Sequence, residues 1–281
     1  MKISNPDKVL FPEAGVTKRE LADHYERVAP AMLPHVRDRP LTMHAFPGGI
    51  GGSGFFMKSV PDHFPDWIAR ARLPKRGGTV THALANRAAT LVYLAGQNVI
   101  ALHVWPARAD SPRRPDRLVL DFDPSPGARF ADVRAAARDA GERLRDAGLA
   151  PFAMVSGSRG VHVVAPLRRG PGFTDVHGFA RRVAEEMVAA DRRLTLEWRV
   201  ADRGSRIYVD VNRNAYAQHA IAPYSVRARE PAPVAVPLAW DELSDRRLRP
   251  DAWTVRTIGA RLDERGDAWK GIGRHARRLP G

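Results

Sequence analysis

"RLVLDFDPSPG", residues 117–127, is an apolar run that sets two aspartates one residue apart and then meets a proline. Side chains alternate faces along a strand, so Leu118, Leu120 and Phe122 point one way and Val119, Asp121 and Asp123 the other. Both carboxylates therefore leave one face, with Cα atoms roughly 6.5–7 Å apart. Unpaired, two such charges repel and one of them takes up a proton more readily. Hard divalent cations remove the conflict, because Mg2+ and Mn2+ prefer carboxylate oxygens, waters and substrate phosphates, and two ions about 3.5–4 Å apart can share one carboxylate pair. The competing reading is that these aspartates only form a turn, since Asp before Pro commonly starts one. A third acid, Asp210 in "SRIYVDV", closes another apolar strand elsewhere in the chain. Three acidic strand ends in a chain of net charge +14 look like a metal cradle.

The charge itself, 45 Lys and Arg against 31 Asp and Glu in 281 residues, makes a polyanion the natural partner, nucleic acid ahead of an anionic membrane. A solvated, arginine-rich surface contributes to the same number. With no cysteine, disulfides and thiolate metal sites are excluded, and any metal must sit on oxygen or histidine ligands. No apolar stretch approaches the roughly 20 residues that cross a bilayer, and "MKISNPDKVLF" has no signal-peptide core, so a cytoplasmic protein is expected.

Along the chain, Thr17 and Glu20 stand in capping-box spacing ahead of a helix over 17–32 with Leu21, Tyr25, Val28 and Met32 on one face. "PLTMHAF" reads as a strand, Asn86 as the N-cap of a helix over "RAATLVYLAGQ", and 99–105 as a strand. Strand 118–123 precedes a helix over 131–147 that buries Val133, Ala137, Ala140 and Leu144 and stops at Gly148. "FAMVSG" and "VHVVAPL" read as a strand pair, followed by a helix from about residue 174 and strands near 194–200 and 206–211. A Pro-rich stretch then leads to a basic helical tail after about 252. Strands and helices mix without strict alternation, which predicts an α+β fold with a largely antiparallel central sheet in one continuous unit, 1–281.

"SGSRGVHVV", 156–164, joins two strands through two glycines, a setting in which backbone N–H groups can form an anion-binding nest. Arg159 adds charge there; an ordinary glycine hairpin is the alternative. A literal G-x-G-x-x-G at Gly49, Gly51 and Gly54 leads into "FFMK" and not into a helix, so the dinucleotide mechanism has no helix N-terminus to use. Phe55 and Phe56, with Lys58 beside them, suit stacking on an unpaired base and touching its phosphate, unless one or both pack in the core.

Taken together, "NPDKVLFPEAGVTKRELADHY", "FFMK", "ALHVW", "LVLDFDP", "SGSRGVHV", "VDVNRN", "IAPYSVRAR" and "TVRTIGARL" resemble, in order, the polymerase domain of bacterial ATP-dependent DNA ligase D, a non-homologous end-joining polymerase of the archaeo-eukaryotic primase superfamily. The resemblance implies a primase-polymerase fold and a template-directed nucleotidyltransferase that extends a DNA primer at gaps or breaks, preferring ribonucleotides and using two Mn2+ or Mg2+ ions. It implies that Asp121, Asp123 and Asp210 hold the metals, and that Ser156, Arg159, Gly160 and His162 lie on the nucleotide-phosphate motif. His103 and Arg227 would contact the incoming nucleoside triphosphate. Lys8 and Lys18 would recognise a 5'-phosphate, with Phe55, Phe56 and Lys58 also on DNA. Ku and a ligase module are the implied partners. The chain departs from the pattern at Gln218, where some relatives have lysine, and at His219, where threonine is usual.

Carboxylates alone would equally permit a two-metal nuclease or phosphodiesterase. A non-catalytic DNA-end-binding module, with the aspartates as turn residues, is the reading from another class.

Overall fold

A computed structural model describes residues 3–281 of the protein. The chain forms two compact units, each assembled from separated segments. The first takes residues up to Pro112 together with His219–Ala235 and Trp253–Asp267; the second takes Arg113–Gln218, Val236–Ala252 and Ala268–Gly281.

The first unit opens with a short antiparallel pair, β1 (Val9–Phe11) and β2 (Val16–Thr17), that delivers the chain to α1 (Lys18–Val36). The predicted capping box is present: the Thr17 hydroxyl accepts the Glu20 N–H, and the Glu20 carboxylate accepts the Thr17 N–H. Leu21, Tyr25, Val28 and Met32 are buried as the periodicity requires. There follow β3 (Leu41–Ala45), β4 (Phe55–Met57), a separate hairpin of β5 (Arg70–Lys75) and β6 (Gly78–Ala83), α2 (Ala88–Gly96) and β7 (Val99–Val104). Asn86 does not cap α2. The N-cap is Arg87, and the Asn86 amide is instead engaged with Asp38, accepting its backbone N–H and donating to its carboxylate.

The second unit begins with β8 (Arg117–Pro124), α3 (Phe130–Asp146), β9 (Phe152–Val155), β10 (Val161–Pro166) and α4 (Phe173–Ala190). Gly148, at φ +77°, ends α3 as its sequence position predicts, and its N–H returns to the Arg145 carbonyl. Then come β11 (Leu194–Thr195), α5 (Val200–Arg203) and β12 (Ile207–Asp210). The expected strand over 194–200 is thus only two residues long. Beyond Thr195 the apolar members of the segment, Trp198 and Val200, face solvent, so no sheet face rewards extension. β13 (Ala220–Ile221) belongs to the first unit, β14 (Val236–Leu238) to the second, and α6 (Ile258–Arg265) to the first. The basic tail is therefore helical over α6 and a short 3-10 turn at Ile272–His275, and not throughout.

The second unit is built on a six-stranded sheet in the order β11-β12-β8-β10-β9-β14, antiparallel except for β11 with β12. The first carries a four-stranded antiparallel sheet, β13-β7-β3-β4. This mixture of helices and mostly antiparallel strands is the α+β class read from the sequence. β8 lies inside the larger sheet with Leu118, Leu120 and Phe122 fully buried, and α3 and α4 pack against it. Pro124 is the last residue of β8, opposite Ile207, so it ends the strand from within the ladder.

In the first unit, His24 on α1 is buried and bonds through Nε2 to the Tyr224 carbonyl, 3.0 Å away. Burial pushes its imidazole down to about 4, against a partial opposing effect of that carbonyl. The unfolded chain takes up a proton first, so stability is full above about pH 6.5 and falls as pH drops toward 4, by on the order of 3 kcal/mol from this group. Thermal unfolding midpoints should decline over that window, and His24→Gln should flatten the decline.

Candidate active site

The second unit gathers the three predicted acids. β8 pairs with β10 on one side and β12 on the other, in a register that sets Asp121 opposite both His162 and Asp210, while Asp123 lies opposite Tyr208. One row across the sheet thus carries His162, Asp121 and Asp210, and Asp123 stands two residues along on the same face of β8. His162 Nε2 is 3.2 Å from Asp121 Oδ1, and Arg213 bridges the pair of acids, its Nε 3.3 Å from Asp121 Oδ2 and its Nη2 3.1 Å from Asp210 Oδ2. Asp123 is held between Arg159, at 3.3 Å, and Arg203, at 3.2 Å.

The electrostatics separate two of these acids. Burial alone would raise the Asp121 carboxyl, but His162 and Arg213 overcome it and hold the group well below the usual carboxylate range. Asp210 is raised: burial dominates, Arg213 offsets part of it, and the Asp121 charge adds to it. Tyr208, next to Asp210 on β12, is pushed up to about 12 by burial and by that carboxylate. The turn after β12 is pinned by fully buried Asn214, whose amide accepts the Val119 N–H and donates to the Val119 and Val211 carbonyls. That anchor delivers Arg213 to the acids.

The donor set fits a hard divalent ion: three carboxylates, two facing each other across a strand pair, on a unit without thiols. Among the described residues no three His, Asp or Glu side chains already stand together as a metal cluster. Arginine nitrogens now engage the carboxylate oxygens that an ion would take, so Arg213 has to yield for Asp121 and Asp210 to converge on one.

The "SGSRG" turn links β9 to β10. Ser156 Oγ accepts the N–H groups of Ser158 and Gly160, at 3.3 and 3.1 Å, and Gly157 sits at φ +68°. Ser156 therefore organises the turn, and Arg159, with about half of its side chain exposed, is the group that projects from it. A Cβ on Gly160 would lie 2.1 Å from the Phe122 carbonyl oxygen, so hydrogen alone fits where the turn crosses β8. Gly160→Ala should lower stability by about 1–3 kcal/mol in denaturant unfolding, while Gly170→Ala, with open space around it, should change little.

The first unit carries the remaining candidates. Phe55 and Phe56 are both about half exposed, so neither is a core residue. Phe56 stacks on His44, its cross-strand partner, at 4.0 Å and 13° between planes, and its edge meets His103 at 5.6 Å. His219 joins them, 5.1 Å from His103 and 6.0 Å from Phe56. His44 is lowered by burial and by the Arg227 charge, which places Arg227 beside this cluster. Lys58 follows β4, near enough to His82 for its charge to oppose protonation there. Lys8 donates to the Pro47 carbonyl and Lys18 to the Ser4 carbonyl; burial, then the Lys8 charge, lowers the Lys18 ammonium. The glycines of 49–54 have packing roles, Gly49 at φ +81° against the Leu10 backbone and Gly54 against the Phe46 ring. Arg203, Arg213, Tyr208, His44 and Asn214 escaped the sequence reading. Arg213, three residues past Asp210, carried a spacing signal, whereas Arg203 had none among so many arginines.

Comparison with known proteins places the chain in a family. The family model for the LigD primase-polymerase domain matches residues 17–269. The chain is 33% identical over 270 residues to the multifunctional non-homologous end joining protein LigD of Mycolicibacterium smegmatis, covering 95% of this chain and 35% of that protein. It is 32% identical over 265 residues to the LigD of Pseudomonas aeruginosa, covering 94% and 31%. The chain thus spans about a third of the curated relatives it matches. The polymerase domain from Mycobacterium tuberculosis ligase D, solved in complex with DNA, superposes with a TM-score of 0.92 at 33% identity over 98% of this chain and 99% of that one. With its carboxylate row on β8 and β12 and the match running through segments of both units, the chain belongs to the LigD primase-polymerase domain family.

Proposed function

We propose that the protein is a template-directed nucleotidyltransferase that extends a DNA primer 3' end at gaps or double-strand breaks in non-homologous end joining, with a preference for ribonucleotides. The observation that carries this reading is the row His162–Asp121–Asp210 with Asp123 beside it, in a member of this family. The two units act as one primase-polymerase domain, a reading supported by a single family match that runs from 17 to 269.

Asp121, Asp123 and Asp210 would hold two Mn2+ or Mg2+ ions, which when bound supply the positive charge that activates a 3'-hydroxyl and stabilises departing pyrophosphate. The protein's own part is positioning. His162 keeps Asp121 oriented and ionised. Arg159 and Arg213, released from their carboxylates, would become donors to a triphosphate; His103 and Arg227, on the first unit, are likewise proposed as nucleotide-binding residues. Ser156 and Gly160 fix the turn that aims Arg159. Phe55, Phe56 and Lys58 form an exposed aromatic and cationic edge suited to an unpaired base of the DNA. Lys8 and Lys18, close enough to feel each other's charge, suit a dianionic 5'-phosphate. Ku and a ligase module are proposed partners.

On gapped DNA with Mn2+ and nucleoside triphosphates, Asp121→Ala should reduce extension by at least about 10³-fold and leave DNA affinity nearly unchanged; wild-type extension by the variant would overturn the site. Cleavage of labelled DNA without nucleotides would favour a nuclease instead. Lys8→Ala and Lys18→Ala should each reduce the preference for a 5'-phosphorylated gap by about tenfold, read as the affinity ratio between phosphorylated and unphosphorylated substrates.

A further inference from the structure

Trp198 is the most exposed large hydrophobic side chain among the described residues, at 67%, and Val200 beside it is 63% exposed. A single surface apolar residue needs no explanation, but this one is unusual in three respects. It is rigidly mounted: the buried Arg203 guanidinium donates from Nε to the Glu197 carbonyl at 2.9 Å and from Nη2 to the Trp198 carbonyl at 2.7 Å. Arg206 fastens the adjoining residues, donating to the Arg203 and Asp202 carbonyls. It is also tied to the active site, because the remaining Arg203 nitrogen, Nη1, pairs with Asp123 Oδ2 at 3.2 Å, and the guanidinium lies 4.1 Å over the Tyr208 ring. The Trp198 backbone therefore stands within roughly 8 Å of a catalytic carboxylate. And it is charged for an anion: the Arg199 guanidinium sits 5.4 Å from the Trp198 ring centroid.

We infer that Trp198 and Arg199 form a nucleobase-stacking platform beside the carboxylates, taking an unpaired base on the indole and its phosphate on the guanidinium. An indole face stacks on any base, and a neighbouring arginine supplies both charge and a second stacking plane. Because four arginine-to-carbonyl bonds already order the loop, little conformational freedom is lost on binding. A net charge of +14 draws a nucleic-acid strand and repels a basic protein surface. The inference rests on the proposed function only for which strand is held. The base could belong to a strand or to a mononucleotide, and the two sources are separable by experiment.

The test uses the whole chain without metal. Trp198→Phe removes one of six tryptophans while keeping an aromatic face, and Trp198→Ala removes the platform. A short single-stranded oligothymidylate and, separately, a nucleoside triphosphate are titrated, following intrinsic fluorescence; a labelled strand is followed by anisotropy. The expected result is quenching in the wild type that Trp198→Phe abolishes, near-wild-type strand affinity for Trp198→Phe, and roughly tenfold weaker binding for Trp198→Ala. Quenching by the triphosphate in place of the strand assigns the platform to the incoming nucleotide. Undiminished quenching in Trp198→Phe, or wild-type affinity of Trp198→Ala for both ligands, overturns the inference and leaves Trp198 as a protein-contact residue. Extension assays on the same proteins keep the outcomes apart: wild-type extension with no effect at Trp198 rejects the platform alone, and quenching without extension rejects the polymerase alone.

Discussion

A carboxylate inside a sheet, flanked by strands on both sides, is tolerable only where donors or cations are brought to it, and Asp121 has two such partners. His162 arrives from β10 and Arg213 from the turn after β12, and both depend on the register of β8 with its neighbours. A slip of one residue on either side would carry every side chain of the slipped strand to the opposite face. Phe122 would then face the charges and the aspartates would enter the apolar layer that holds Leu118 and Leu120. The hydrophobic pattern of β8 thus protects the chemistry, since the strand cannot keep its core in any register that misplaces the acids.

The same arrangement makes two of the acids unequal. Asp121 is ionised over the whole physiological range, whereas Asp210 pays for burial and for the charge of its neighbour. A single guanidinium serves both, so Arg213 stands where a divalent ion would otherwise neutralise the pair. Asp123 has its own two arginines, Arg159 with about half of its side chain exposed and Arg203 buried. Carboxylate neutralisation is in this way divided among three arginines from different segments.

Much of this was legible in the chain. Period-2 alternation put Asp121 and Asp123 on one face, Asp210 announced itself at the end of a second apolar strand, and the Thr17–Glu20 spacing located the start of α1. Local signals failed where a long-range partner took the residue. Asn86 has the chemistry of an N-cap but is spent on Asp38, forty-eight positions away in sequence. The 194–200 segment has strand-forming residues, yet only Leu194 and Thr195 find a neighbour, in parallel β12. Arg203 and His44 acquire their roles from sheet neighbours and ring contacts that no spacing encodes.

The division of the chain has a further consequence. The backbone passes between the two units after Pro112, Gln218, Ala235, Ala252 and Asp267, so neither is a continuous stretch of sequence. Neither could be lost, duplicated or transplanted by a single recombination event. During synthesis, each must wait for segments that emerge after parts of the other, as with β13 for β7 and β14 for β9. Late closure of such distant pairings slows folding, and it ties the inheritance of the carboxylate row to that of the aromatic cluster as one indivisible unit of descent.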